Sequence, residues 1–273
     1  VVGVPIAGCT TDDGLITEPA MMNSSRSILL VAAAIALSGP FAAKPVDRFT
    51  FVHITDMHIT AAGKFGKNLG AIIGEINAMT PRPAFVLATG DLTELGFREE
   101  YAKYRETVST LTVPLYNVMG NHETKWSNWG KAGIKRFLEQ KPYYSFDHGG
   151  VHFVGLDSSM WLEHNGNLDP SQLAWLRRDL DSCPASRPVV LFYHHCPGFL
   201  PNEAAFHRVL RGHHVPLALV GHGHQFRAWK RDGTCFQMTK AAMDSGGGAY
   251  RILEVTRAGI RSYRKEVGKE RVD

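Results

Sequence analysis

The chain has 273 residues, 44% of them apolar and 21% charged. This composition excludes a disordered, collagenous or coiled-coil chain and leaves room for one large or two small domains with a sizeable core. The net charge of +4 is unevenly placed, because Arg26 stands against Asp12, Asp13 and Glu18 in the first 43 residues and the remainder is the more basic part. Mild basicity suits an anionic ligand without selecting one.

The first patterned stretch is "MMNSSRSILLVAAAIALSGPFAAKP", starting at Met21. A short polar lead with Arg26 precedes an apolar run from Ile28 to Leu37, and Ala36 and Ser38 are small residues at −3 and −1 of a cut after Ser38. This is the layout of a bacterial secretory signal, with an apolar run too short to span a bilayer. The competing reading is a buried helix; the flanking arginine, the small residues and the Gly39-Pro40 break favour export. The expectation is an extension and signal over 1–43, a folded domain over 44–273, and a periplasmic or extracellular protein that meets a membrane only through its signal. Residues 1–20 are expected to have no structural role. "PIAGC", ending in Cys9, resembles a lipoprotein box but lacks a long apolar lead.

From residue 44 onward, β-type runs alternate with helix-type stretches. "FTFVHIT" (49–55), "AFVLATG" (84–90) and "PLYNVMG" (114–120) are strand-like and end in turn residues. Phe97, Tyr101, Tyr104, Val108 and Leu111 recur at helical spacing and predict a helix lying on a sheet. "DPSQ" predicts a second helix, with Asp169 as N-cap, Pro170 in the first turn and Gln172 closing a capping box. Leu173, Leu176 and Leu180 form its apolar stripe. "YYSFDHGGVHFVGLDS" (143–158) reads as two strands joined at Gly149-Gly150. "RPVVLFYHH" and "HVPLALVGHGH" are buried strands with polar ends, and short alternating strands follow residue 225. The pattern predicts one α/β domain of two packed sheets with helices outside. The four cysteines at 9, 183, 196 and 235 lack CxxC spacing, so a thiolate zinc site is not indicated. In an exported protein Cys196 could join Cys235.

Residues with metal-ligand chemistry gather at the strand ends. The first strand ends in "TDMHIT", where Asp56 and His58 are two apart and can share a face. The second ends in "TGDLTE", with Asp91, and the third in "GNHE", with Asn121 and His122. "LFYHHCP" supplies His194 and His195, and "GHGHQF" supplies His222 and His224. Singly, each element is weak, because a strand-end Asp more often caps a helix and a lone His is more often structural. The ordered set D-x-H, G-D, G-N-H-E, H, G-H-x-H is specific.

That set resembles the signature of the calcineurin-like metallophosphoesterase superfamily across residues 49–226. The resemblance implies a four-layer αββα sandwich of two mixed β-sheets flanked by helices. It also implies two divalent or trivalent ions, drawn from Mn, Fe, Zn, Co or Ni, with Asp91 bridging. One ion would take Asp56, His58 and His224; the other would take Asn121, His194 and His222. An H-x-P register would select His195 in place of His194. A metal-bound hydroxide would attack phosphorus, and His122 would stabilise the phosphate or protonate the leaving oxygen. Asp157 is read either as a support of the site or as a turn residue, and Trp126 and Trp129 either as lining its mouth or as packing under a loop.

The spacing of "GDLTELGFREEYAKYRE" to "GNHE" is most similar to the bacterial cyclic-nucleotide and glycerophosphodiester phosphodiesterase branch. The tyrosine ligand of purple acid phosphatases is missing after "GD". The expected function is hydrolysis of small phosphoesters, with diesters preferred. A phosphomonoesterase on the same site, or a non-catalytic metal-binding protein on the same fold, are the alternatives. Lys and Arg are scattered, so no nucleic-acid partner is expected.

Overall fold

The structure is a computed structural model that describes residues 6–7 and 44–273. The expected signal segment and Cys9 lie outside the described residues. Two six-stranded sheets pack face to face. The first has the order β1-β12-β11-β2-β3-β4, where β1 is Ile6–Ala7, β2 Phe49–Ile54, β3 Val86–Thr89, β4 Leu115–Val118, β11 Ala249–Thr256 and β12 Gly259–Glu266. The second has the order β5-β6-β7-β8-β10-β9, where β5 is Tyr144–His148, β6 Val151–Gly155, β7 Val189–Phe192, β8 Leu217–Val220, β9 Arg227–Arg231 and β10 Thr234–Met238. Both sheets are mixed. β2, β3 and β4 are parallel, as are β6, β7 and β8, whereas β11 runs antiparallel to both of its neighbours, β2 and β12. The pairing of Ile6–Ala7 with Ile260 and Arg261 gives these two residues a structural part that the sequence reading did not expect.

Strand periodicity builds the layers. In β2, Phe51 enters the core between the sheets while Val52 and Ile54 face outward onto helices. In β7, Val190 and Phe192 point inward, and Val189 and Leu191 meet the helices on the other side. A two-residue repeat with both sets apolar is what a sheet covered on both faces requires. α1 (Gly66–Ala78) and α2 (Arg98–Val108) cover the first sheet, the short α3 (His122–Lys125) and α4 (Ala132–Leu138) follow β4, and α5 (Pro170–Asp181) and α6 (Glu203–Leu210) cover the second sheet. The αββα sandwich expected from the resemblance is the fold observed. No helix among the described residues is long and apolar enough to cross a membrane.

Three local expectations are corrected. Phe97, placed on the buried face of α2, is 43% exposed at its N-cap. Asp169 precedes α5 but makes no side-chain cap bond. Gln172 turns inward, accepting the Asp157 N–H at 2.8 Å and donating to its carbonyl at 2.7 Å. Satisfying a buried backbone pair is worth more there than a solvent-exposed cap. Cys196 and Cys183 are free thiols while Cys235 is disulfide-bonded, so no Cys196–Cys235 bridge forms.

Candidate metal centre

Parallel strands bring their C-terminal ends to one edge, and that edge carries the site. Asp56 and His58 follow β2, Asp91 follows β3, Asn121 follows β4, His194 follows β7, and His222 and His224 follow β8. Among the described residues nine non-glycine positions have positive φ, and five of them are Asp56, His58, Asp91, His222 and His224. Each such backbone costs roughly 1–3 kcal/mol and persists only where the surroundings over-determine it. The strain turns the side chains off the strand direction and into one space.

The loops also need close backbone approach. A Cβ on Gly120 would lie 2.1 Å from Asp91 Oδ1, and one on Gly90, at φ 86, would lie 2.6 Å from the Gly120 nitrogen. Only glycine fits either position.

The donors fall into two groups with Asp91 between them. His224 Nε2 lies 3.1 Å and His58 Nε2 3.9 Å from Asp56 Oδ1. On the other side Asn121 Oδ1 is 3.1 Å from His194 Nε2 and 3.0 Å from His222 Nδ1. Asp91 Oδ2 stands 3.6 Å from His58 Nε2 and 3.2 Å from His194 Nε2. His194 donates Nδ1–H to the Thr89 carbonyl at 2.7 Å, and His58 turns Nδ1 to Glu94 Oε2 at 2.9 Å. Each ring therefore aims Nε2 at the centre, as an oriented metal-binding imidazole does.

Electrostatics agree with that geometry. Burial alone would raise the Asp56 and Asp91 carboxyls, but the surrounding imidazoles more than offset it and both are lowered. Burial disfavours the charged forms of His58 and His194, yet the adjacent carboxylates raise both to about 9. His222, lacking so close a carboxylate, is pushed by burial and then by His194 to about 3. Asp56 Oδ1 and His58 Nε2 are buried with no hydrogen-bond partner, a cost that a cation between them would remove. Oxygen and nitrogen donors without thiolate fit a hard or borderline cation.

A family model described as calcineurin-like phosphoesterase matches residues 49–226, a span that contains every one of these donors. The chain belongs to that family. A probable glycerophosphodiester phosphodiesterase of Arcobacter nitrofigilis is 33% identical over 161 residues, which cover 54% of this chain and 56% of that protein. A cAMP/cGMP dual specificity phosphodiesterase of Mycobacterium tuberculosis is 30% identical over 207 residues, covering 66% of this chain and 63% of that one. The matches thus span less than two thirds of either relative. Purple acid phosphatase from yellow lupin seeds superposes with a TM-score of 0.62 at 14% identity, covering 86% of this chain and 54% of that one. This likeness concerns the fold alone.

Around this centre the neighbouring residues divide into supports and bystanders. His195 is held on both ring nitrogens, by Ser158 Oγ at 2.8 Å and the His164 carbonyl at 3.1 Å. It braces the loop at 158–164 while His194 faces the centre. Asp157 is a turn residue: its Oδ1 accepts from the Ser159 amide and hydroxyl, and its Oδ2 meets Lys131 Nζ at 3.1 Å. His122 points Nδ1 at the Glu94 carbonyl, 2.6 Å away, so Nε2 is left for chemistry.

The mouth, about 360 Å³, includes Lys64, Phe65, Glu94, His122, His164 and Met243 in its lining. Trp126 and Trp129 do not line it. Trp129 packs edge-on against Phe137 under the Arg136 guanidinium.

Sequence reasoning missed two supports. Glu94 fixes the His58 ring. Glu123, fully buried, accepts the Gly120 N–H at 2.8 Å and the Thr93 N–H at 2.8 Å, clamping two ligand loops together. The acid of "GNHE" was the available signal for Glu123; Glu94 had none, because its partner is 36 residues away.

Proposed function

We propose that this phosphoesterase hydrolyses small phosphodiesters with two metal ions. Asp56, His58 and His224 would hold one ion, Asn121, His194 and His222 the other, and Asp91 would bridge them. The observation that carries this reading is the Asp91 carboxylate standing between His58 Nε2 and His194 Nε2 of two donor clusters, the first of which holds two buried atoms, Asp56 Oδ1 and His58 Nε2, without hydrogen-bond partners. Bound cations would activate water and neutralise charge developing on the phosphoryl oxygens.

The chain's own residues supply the rest. Asn121 contributes a neutral oxygen, so the site stays less anionic for a phosphate entering it. Lys64 at the mouth draws the anion inward. His122, anchored by donating Nδ1–H to the Glu94 carbonyl, leaves Nε2 free, and as an imidazolium it would give the Nε2 proton to the departing alkoxide oxygen and remain neutral on Nδ1–H. Preference for diesters is supported by the phosphodiesterase names of the relatives. Export is supported by the secretory layout of residues 21–38, and an enzyme so placed would meet envelope or scavenged diesters.

The test is hydrolysis of bis(p-nitrophenyl) phosphate and of p-nitrophenyl phosphate by metal-stripped protein, before and after adding Mn²⁺. Asp91→Asn runs alongside. Metal-dependent diester turnover that Asp91→Asn removes is the expected result. Faster monoester turnover would keep the site and change the substrate class. Metal binding without turnover of either ester would leave a binding protein and overturn the reading.

A further inference from the structure

Six large hydrophobic side chains are exposed among the described residues, and five of them, Phe97, Trp126, Trp129, Trp161 and Leu162, sit in three adjoining loops. Trp126 is 51%, Trp161 62% and Leu162 61% exposed. The loops are physically joined. Ser127 Oγ donates to the Gly96 carbonyl at 2.9 Å, Thr124 Oγ1 donates to the Met160 carbonyl at 2.9 Å, and a Cβ on Gly130 would lie 3.3 Å from the Trp161 ring. Those loops also carry three residues of the catalytic mouth: Glu94, His122 and His164. Scattered exposed apolar residues are ordinary, but a contiguous set beside a site marks an interaction surface.

Beside this patch lies a notch whose charged lining residues are all cations. Arg98, Lys125 and Arg136 make no ion pair with any carboxylate among the described residues, and the exposed Glu99, Glu139 and Glu163 nearby are likewise without an ion pair. Lys125 Nζ instead lies over the Trp126 ring at 4.6 Å and the Arg136 guanidinium over Trp129 at 4.4 Å. Arg98, Arg105, Trp129 and Arg136 line a surface notch of about 550 Å³, large enough for a phosphate-bearing head group. Ala102, between the two α2 arginines, leaves the notch open.

We infer that this face docks on an anionic lipid surface, with Trp126, Trp161 and Leu162 entering the head-group region and the unpaired cations meeting lipid phosphates. Tryptophan prefers that interface because its ring is amphipathic, and basic residues beside it add attraction to anionic lipid. Docking turns the catalytic mouth toward the membrane. In combination with the proposed diesterase activity, it names the substrate source as phosphodiesters presented at or released from a bilayer.

The experiment is sedimentation of the purified protein with vesicles of phosphatidylcholine alone or mixed with phosphatidylglycerol, together with tryptophan emission. Binding to the mixed vesicles with a blue shift is expected, weaker in high salt. Trp126→Ser combined with Trp161→Ser and Leu162→Ser should lower affinity at least about tenfold. Arg98→Gln and Lys125→Gln should each lower it about fivefold. All of these variants should keep wild-type turnover of the soluble diester, which shows that they fold and separates this inference from the activity reading. Equal binding to both vesicles, or undiminished binding of the triple variant, would overturn it. So would a wild-type dimer in sedimentation velocity that the triple variant loses, because the patch would then join two copies of the chain.

Discussion

The backbone N–H of His122 donates to Oδ1 of Asp91 at 2.9 Å, which leaves Oδ2 facing His58 and His194. The anchor is main chain, so it survives replacement of the His122 ring. His122→Ala should therefore bind Mn²⁺ with near wild-type affinity and turn over the diester at least about a hundredfold more slowly, the range for loss of a general acid. Calorimetric titration with Mn²⁺ beside a rate assay checks both halves. Loss of metal binding would mean that the ring itself is a ligand.

Glu94 acts at one remove, through Nδ1 of His58. We expect Glu94→Ala to weaken metal affinity or activity about 10–100-fold, the cost of releasing an oriented histidine ligand. Excess Mn²⁺ should restore much of the rate. A rate that excess metal leaves unchanged would argue that Glu94 touches substrate instead.

His194 and His195 are neighbours with different partners, and two alanine variants test the roles proposed for them. His194→Ala should remove turnover by about a hundredfold or more. His195→Ala should keep turnover within a few-fold but lose about 1–3 kcal/mol in urea unfolding, because Ser158 Oγ and the His164 carbonyl lose their partner. The reverse pattern would transfer the ligand role to His195.

His53 gives a pH signature outside the donor set. It is fully buried between Thr89 Oγ1 at 2.7 Å and Thr239 Oγ1 at 2.8 Å. Burial first, and Arg251 second, lower it from 6.5 to about 3. The unfolded chain then takes up this proton before the folded one does. Stability from this residue is intact above pH 6.5 and falls as pH drops toward 3, with a slope of about 1.4 kcal/mol per pH unit. His53→Gln should flatten that part of the urea-stability profile, and an unchanged profile would assign the acid sensitivity elsewhere.

The fold was legible in the sequence because period-2 apolar strands and period-3.6 helices follow directly from backbone geometry. The runs at 49–55, 84–90 and 114–120 appear as β2, β3 and β4, and the Gly149-Gly150 hairpin appears between β5 and β6. The donor types were legible too, since Asp, Asn and His after apolar runs violate the strand pattern. Local rules failed where a distant partner prevailed. Gln172 abandons its cap for the Asp157 backbone, and Cys196 stays reduced.

By itself, then, the sequence determined which strands form, where their polar ends fall and which chemistry those ends can do. Only the tertiary structure decided which residues meet. The different settings of His194 and His195 follow from which ring nitrogen finds Thr89 in β3 or Ser158 in the loop after β6. The roles of Glu94 and Glu123 depend on contacts across 36 and 30 residues. The convergence of the donors rests on strained left-handed turns that surrounding packing holds in place. Such turns are unfavourable locally, so no local reading of the chain could have placed them.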